Sequence, residues 1–122
     1  MADVRSYRDL AAWQRAIDVA ELSYRLTQPF PQSELYGLTS QIRRAAVSIA
    51  ANIAEGYGRQ TPSAYINFLR IAQGSLKELE THLIIAERVR VMEKGGGDEL
   101  LALCDEEGRI LRALIRSLEE SK

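Results

Sequence analysis

Cysteine and histidine occur once each in this chain, as Cys104 and His82, and that scarcity removes whole classes of chemistry. A lone cysteine closes no intrachain disulfide, and on an apolar helical stripe it reads as a small buried hydrophobe rather than a reactive thiol. A single histidine cannot supply the two Glu-x-x-His pairs of a di-metal carboxylate bundle, and here His82 follows Glu78 by four residues and Glu80 by two. Neither a metal nor another cofactor is expected. Nothing provides a nucleophile with an oriented base, so no enzymatic activity is expected either. No apolar run approaches the roughly 18 residues of a membrane span, and the opening MADVRSYRD lacks the apolar region of a signal peptide. A soluble cytoplasmic protein with no membrane partner is the expectation.

Proline is also scarce, with 3 residues in 122, and glycine numbers 8. Both fall mostly between long amphipathic stretches, where they punctuate. The length suits a single domain spanning residues 1–122, and 46% hydrophobic with 27% charged residues is a globular rather than a disordered composition. The organising stretch is Gln41 to Arg59, and through it and the residues just before it Leu35, Leu38, Ile42, Ala45, Ile49, Ile53 and Gly56 recur in steps of three and four. That spacing keeps one stripe of a helix turned toward a neighbour.

The same period predicts four helices over about residues 9–27, 33–56, 62–93 and 98–120, with no strand signal to compete. In the first, Asp9 is the predicted N-cap and Leu10, Trp13, Ile17, Ala20 and Tyr24 the inward positions. Pro29 and Pro31 end it, with Phe30 plugging the bundle end and Ser33 capping the second helix. Gly56 and Gly58 are expected to stop that helix in the left-handed conformation, and Thr61-Pro62 to start the third. Tyr65, Leu69, Ala72, Leu76, Leu79, Leu83 and Ala86 form the third seam. After Gly95-Gly96-Gly97, Asp98 caps a fourth helix with Leu101, Cys104, Gly108, Leu111, Ile115 and Leu118 inward, and Gly108 leaves room for Trp13 opposite. Short connections make successive helices antiparallel, giving an all-α, up-down-up-down four-helix bundle.

A second, polar stripe runs beside each central seam. Gln41, Ser48, Asn52, Glu55 and Arg59 line the second helix; Asn67, Gly74, Ser75, Glu78 and His82 line the third. Pivoting about the intervening loop sets Asn52 level with Asn67, Ala45 with Gly74, Arg44 with Ser75 and Gln41 with Glu78. Three readings are open. Gln41, Asn52, Glu55, Asn67, Ser75 and Glu78 form an interhelical polar motif that fixes pairing and register, since a buried amide left unbonded costs about 1–3 kcal/mol. Alternatively, Gln41, Arg44, Glu78 and His82 line a polar groove for a ligand or partner. The third, a catalytic acid/base pair drawn from Glu55, Glu78 or His82, is disfavoured because nothing supplies a nucleophile with an oriented base.

The formal net charge of −1 counts against a nucleic-acid-binding protein, but its distribution is uneven. Between residues 35 and 77 stand Arg43, Arg44, Arg59, Arg70 and Lys77 against Glu55 alone. These five are the candidate nucleic-acid contacts, and self-assembly would multiply their local excess. On the fourth helix, Arg109, Arg112 and Arg116 make a row best read as a solvated face with local ion pairs. Leu22, Val47 and Leu103 exceed what one seam per helix needs and are candidates for contact between copies.

Leu10 and Trp13, Phe30-Pro31, Glu34-x-Tyr36-Gly37-Leu38, Gln41-Ile42-Arg43-Arg44-Ala45, Ser48-Ile49, Asn52-Ile53-Ala54-Glu55-Gly56, Phe68-Leu69, Ala72, Gly74-Ser75 and Glu78-Leu79 together carry a resemblance. Over about residues 8–90 the chain resembles the four-helix-bundle proteins of intervening sequences in bacterial large-subunit ribosomal RNA genes. That family is related to the accessory variability determinant of diversity-generating retroelements. The resemblance implies a four-helix bundle that assembles as a pentameric ring. In the retroelement relatives it implies binding of a reverse transcriptase and of RNA. The expectation is thus a non-enzymatic helical protein acting by homo-oligomeric assembly and partner binding, with single-stranded nucleic acid as the alternative partner.

Overall fold

The structure is a computed structural model that describes residues 3–121. Its four helices are α1 (Ala11–Thr27), α2 (Leu38–Tyr57), α3 (Pro62–Arg88) and α4 (Asp98–Glu120). α1 packs on α2, α2 on α3, α3 on α4 and α4 back on α1, and among the described residues the backbones of the diagonal pairs do not approach closely; that cycle of neighbours is a four-helix bundle. Among the described residues there is no strand.

The helix starts are set by local chemistry more than by the expected caps. Ser6 and Asp9 close a capping box around a 3-10 turn at Tyr7–Asp9, so Asp9 accepts from the Arg5 and Ser6 amides and α1 begins two residues later. A second 3-10 turn occupies Gln32–Glu34; Gly37, not Ser33, is the N-cap of α2, and Glu34 Oε1 accepts from the Leu38 amide at 3.1 Å. Leu35 therefore sits in a turn and is exposed rather than on the seam. Thr61 caps α3, accepting from the Ala64 amide, with Pro62 at the first helical position. α3 stops short of the expected 93 because Arg90 takes a left-handed φ of 65° and the Ala86 carbonyl accepts from both Val91 and Met92. Gly97 is the N-cap of α4, and Asp98 lies in its first turn.

The core lies where the seams of α2, α3 and α4 point. Ile42, Ile49, Ile53, Leu69, Leu76, Leu79, Leu83, Leu100 and Leu111 are all essentially sealed from solvent, each contributing about 1.5–3 kcal/mol by burial. α1 departs from expectation by one residue step. Its buried face is Ala12, Ala16, Val19, Ser23 and Thr27, whereas Ile17 and Tyr24 are exposed and Trp13 and Ala20 only half-buried. The small face goes inward because it permits close packing, and its two hydroxyls are satisfied within the helix: Ser23 donates to the Val19 carbonyl and Thr27 to that of Ser23. Trp13 packs edge-on against Tyr7, not opposite Gly108, whose nearest neighbours are Leu76 and Arg112.

Gly56 does not terminate α2 in a left-handed turn. It is buried in the last turn, where an added Cβ would lie 2.8 Å from the Phe68 Cβ, so its role is close approach of α3. Gly58 is right-handed, with φ −77°, and the chain keeps helical sense to Arg59 before turning. That extension moves the α2–α3 register by one turn from the expected one. Ser75 comes level with Ser48 rather than Arg44, and Asn67 and Gly74 lie exposed, away from Asn52 and Ala45.

Candidate functional site

Two adjoining concavities lie on either side of the outer ridge of α2. The first is a groove of about 380 Å3 between α2 and α3, lined by Gln41, Arg44, Ala45, Ser48, Glu78 and His82. The shifted register brings these side chains together, and Gln41, Arg44, Glu78 and His82 share this groove. At one end Asn52 Nδ2 donates to the Ser48 carbonyl (2.8 Å) and to Ser48 Oγ (3.0 Å), and Ser48 Oγ bonds Ser75 Oγ at 2.8 Å. Asn52 thus reaches α3 only through Ser48. His82 Nδ1 is buried with no hydrogen-bond partner. Glu55 lies outside the cluster, in an ion pair with Arg59 at 2.8 Å.

The second concavity, about 650 Å3, lies between the end of α1 and the start of α2 and is lined by Tyr24, Leu35, Tyr36, Thr39, Ser40, Arg43, Arg44, Val47 and Ser48. Arg43 is held rigidly there. Its Nε donates to Thr27 Oγ1 at 2.8 Å, and its guanidinium stacks 4.5 Å from the centroid of the Tyr24 ring. Arg44 has no carboxylate within ion-pair distance among the described residues, and it rims both concavities. Tyr36 is 92% exposed.

The remaining basic candidates are engaged elsewhere. Arg59 pairs with Glu55 and lies over the Phe68 ring, Arg70 pairs with Glu119 at 2.9 Å, and Lys77 with Glu80 at 3.0 Å. No group of three or more potential metal ligands gathers among the described residues. Among the described residues no helix is long and apolar enough to cross a membrane. The Cys104 thiol is buried, and burial pushes it up to about 12, so it stays protonated.

One buried group has no counterpart in the seam pattern. Glu107 is 0% exposed on α4, and neither carboxylate oxygen has a hydrogen-bond partner. Burial pushes its carboxyl up to about 8, Arg15 across on α1 opposing the rise and Glu106 adding to it. Arg15 itself bonds outward, to Asp18 at 2.8 Å and toward Glu106 at 3.3 Å.

Residues 8–113 match the family model of the 23S rRNA-intervening sequence protein. The chain belongs to that family. Among solved structures, this intervening-sequence protein is similar to a protein of unknown function from the S23 ribosomal protein family of Bacteroides thetaiotaomicron VPI-5482, determined at 1.70 Å. The two share 22% identity over 86% of this chain and 98% of that one, with a TM-score of 0.76, which establishes the common fold. No curated protein matches the sequence.

Of the concavities in this intervening-sequence protein, the α2–α3 groove follows from the polar stripes once register is allowed to slide by a turn. The α1–α2 cleft does not, because it depends on Tyr24 facing outward and on the turn that projects Tyr36. The available signal was the Glu34-x-Tyr36-Gly37 run, an aromatic set between a carboxylate and a glycine. Glu107 carried a weaker one, sitting three residues after Cys104 and four before Leu111 on the inward stripe.

Proposed function

We propose that this intervening-sequence protein is a non-enzymatic scaffold that assembles with copies of itself through the outer face of α3. The observation that carries this is the distribution of exposed large apolar side chains. Ile17 and Tyr24 on α1, Val47 on α2, and Ile71, Ile84, Ile85 and Val89 on or capping α3 all face solvent, while α4 exposes none. Exposed apolar side chains gathered on one side of a bundle are a poor arrangement for a monomer and a serviceable one for an interface. Leu22 and Leu103 do not belong to this surface, being half-buried against the core.

Ile71 and Ile85 share a helical stripe with Glu78, seven residues from each, on the outer side of α3. Contacts of that kind between copies would close the pentameric ring that the resemblance implies. The non-enzymatic part of the reading is supported by the engagement of Glu55 with Arg59 and by that of the groove's Ser48 hydroxyl with Ser75 and Asn52 rather than with Glu78 or His82.

RNA is the weaker choice of partner. Three of the five candidate bases are already in ion pairs, and Arg59 stands about 22 Å along α2 from Arg44, too far to form one phosphate-tracking stripe with it. Light scattering and native mass measurement at about 10 μM test assembly, with a ring of defined mass expected. Ile71→Glu with Ile85→Glu should give a folded, helical monomer. A wild-type protein that stays monomeric at that concentration would defeat the reading.

A further inference from the structure

The corner between α1 and α2 is ill suited to a dry contact with another apolar surface. Tyr24, Leu35, Tyr36 and Val47 surround it, yet Arg43 and Arg44 also line it and no acidic side chain does. Covering two guanidinium groups with apolar atoms and no anion would carry a desolvation penalty with nothing to offset it. The cleft therefore calls for an occupant that brings negative charge together with an apolar or flat group.

The geometry points to a nucleoside monophosphate unit as that occupant, its phosphate on Arg43 and Arg44 and its base against Tyr36. Arg43 is preorganised for the part. Thr27 Oγ1 takes its Nε proton, the Tyr24 carbonyl takes one Nη2 proton at 3.4 Å, and the Tyr24 ring covers one face, which leaves the rest of the fork to meet an oxyanion. Arg44, with no ion-pair partner among the described residues, adds a second cation from the next position on the rim. The Thr39 and Ser40 side chains also line the cleft, with hydroxyls of the kind that bond phosphate or ribose oxygens. Tyr36, 92% exposed on a turn held by the hydrogen bond from the Leu38 amide to Glu34, offers a ring face to a base; such stacking contributes about 1–3 kcal/mol per base. About 650 Å3 is ample for one nucleotide.

The cleft is complete within one subunit, so the inference does not depend on ring formation. A free nucleotide and the 5′ end of a strand present the same chemistry, and the measurement separates them. Isothermal titration of the full chain with uridine monophosphate should saturate in the range of about 0.1–1 mM, with inorganic phosphate and uridine each at least about tenfold weaker. Tyr36→Ala should weaken the nucleotide about tenfold while leaving phosphate unchanged. Arg44→Ala should weaken both, and because Arg44 is exposed and in no ion pair among the described residues, its helical content and melting temperature should stay those of the wild type. If a 5′-phosphorylated oligouridylate binds more tightly than the mononucleotide and loses that advantage on dephosphorylation, the occupant is a strand end. If it binds no more tightly, the occupant is the free nucleotide. The inference is overturned if no probe saturates, if binding ignores both substitutions, or if an acidic peptide binds this cleft and the nucleotide does not.

Discussion

The hydroxyls of Ser48 and Ser75 meet at 2.8 Å across the groove between α2 and α3, and the Asn52 amide donates to the same Ser48 oxygen. This is the side-chain hydrogen bond that crosses from α2 to α3 at the middle of their contact, and it fixes which turn of one faces which turn of the other. A half-buried pair of this kind contributes about 0.5–1.5 kcal/mol. Ser75→Ala and Ser48→Ala should each lower stability by about that amount, and the double variant by clearly less than the sum, since one lost bond is counted twice. Urea unfolding of the four cycle members measures the coupling. Strict additivity would mean that the two hydroxyls do not interact.

Gly56 and Gly74 should respond to alanine with opposite signs. At Gly56 a methyl would fall 2.8 Å from the Phe68 Cβ and 3.2 Å from the Tyr65 carbonyl oxygen, neither of which is the far end of a flexible side chain. Relief requires α2 and α3 to separate, and overpacking of this kind costs about 1–3 kcal/mol. At Gly74 an added Cβ meets nothing within 4 Å. Gly74→Ala should therefore raise stability by about 0.5–1 kcal/mol through helix propensity alone. Thermal unfolding of the two single variants checks both, and a shared sign would contradict the packing described.

Bundle architecture was legible because the period of α2, α3 and α4 is carried by Ile and Leu, large enough to declare a single inward stripe. α1 was not, because its apolar arc is broad: Ile17 and Tyr24 face outward and Trp13 is only half-buried, while Ala12, Ala16 and Ser23 face in. Periodicity locates an arc but weights it by side-chain size, and the weighting misleads when close packing selects the small residues. Register failed for a different reason. A loop midpoint assumes that the chain reverses where the helix was expected to end, whereas Gly58 prolongs helical sense past Tyr57. The polar groove nevertheless gathers Gln41, Arg44, Glu78 and His82, because a slide of one full turn preserves the face while changing the partner. Whether a residue such as Arg59 is available to a ligand depended on Glu55 one turn earlier, which the spacing of four already contained.

Glu107 gives the fold a pH dependence with a definite sign. Its carboxyl is fully enclosed and unpartnered, and burial raises it from 4.5 in the unfolded chain to about 8 in the bundle. Below pH 4.5 both states hold the proton and the group is neutral in its effect. As pH climbs from 4.5 to about 8 the unfolded chain releases its proton while the bundle retains it, so the folded state binds more protons and loses stability by roughly 3–5 kcal/mol across that window. Above about 8 both states are ionised and the loss levels off. Glu107→Gln keeps the shape and removes the titration, so its stability relative to the wild type should grow steadily through the same window and then plateau. Arg15 and Glu106, which oppose each other in their effect on Glu107, remain in both proteins, so the difference isolates one group. Urea midpoints measured at intervals from pH 4.5 to 8.5 test it. A constant offset between the two proteins would show that the Glu107 carboxyl ionises alike in the folded and unfolded chain, which a group sealed between α1 and α4 without a hydrogen bond cannot do.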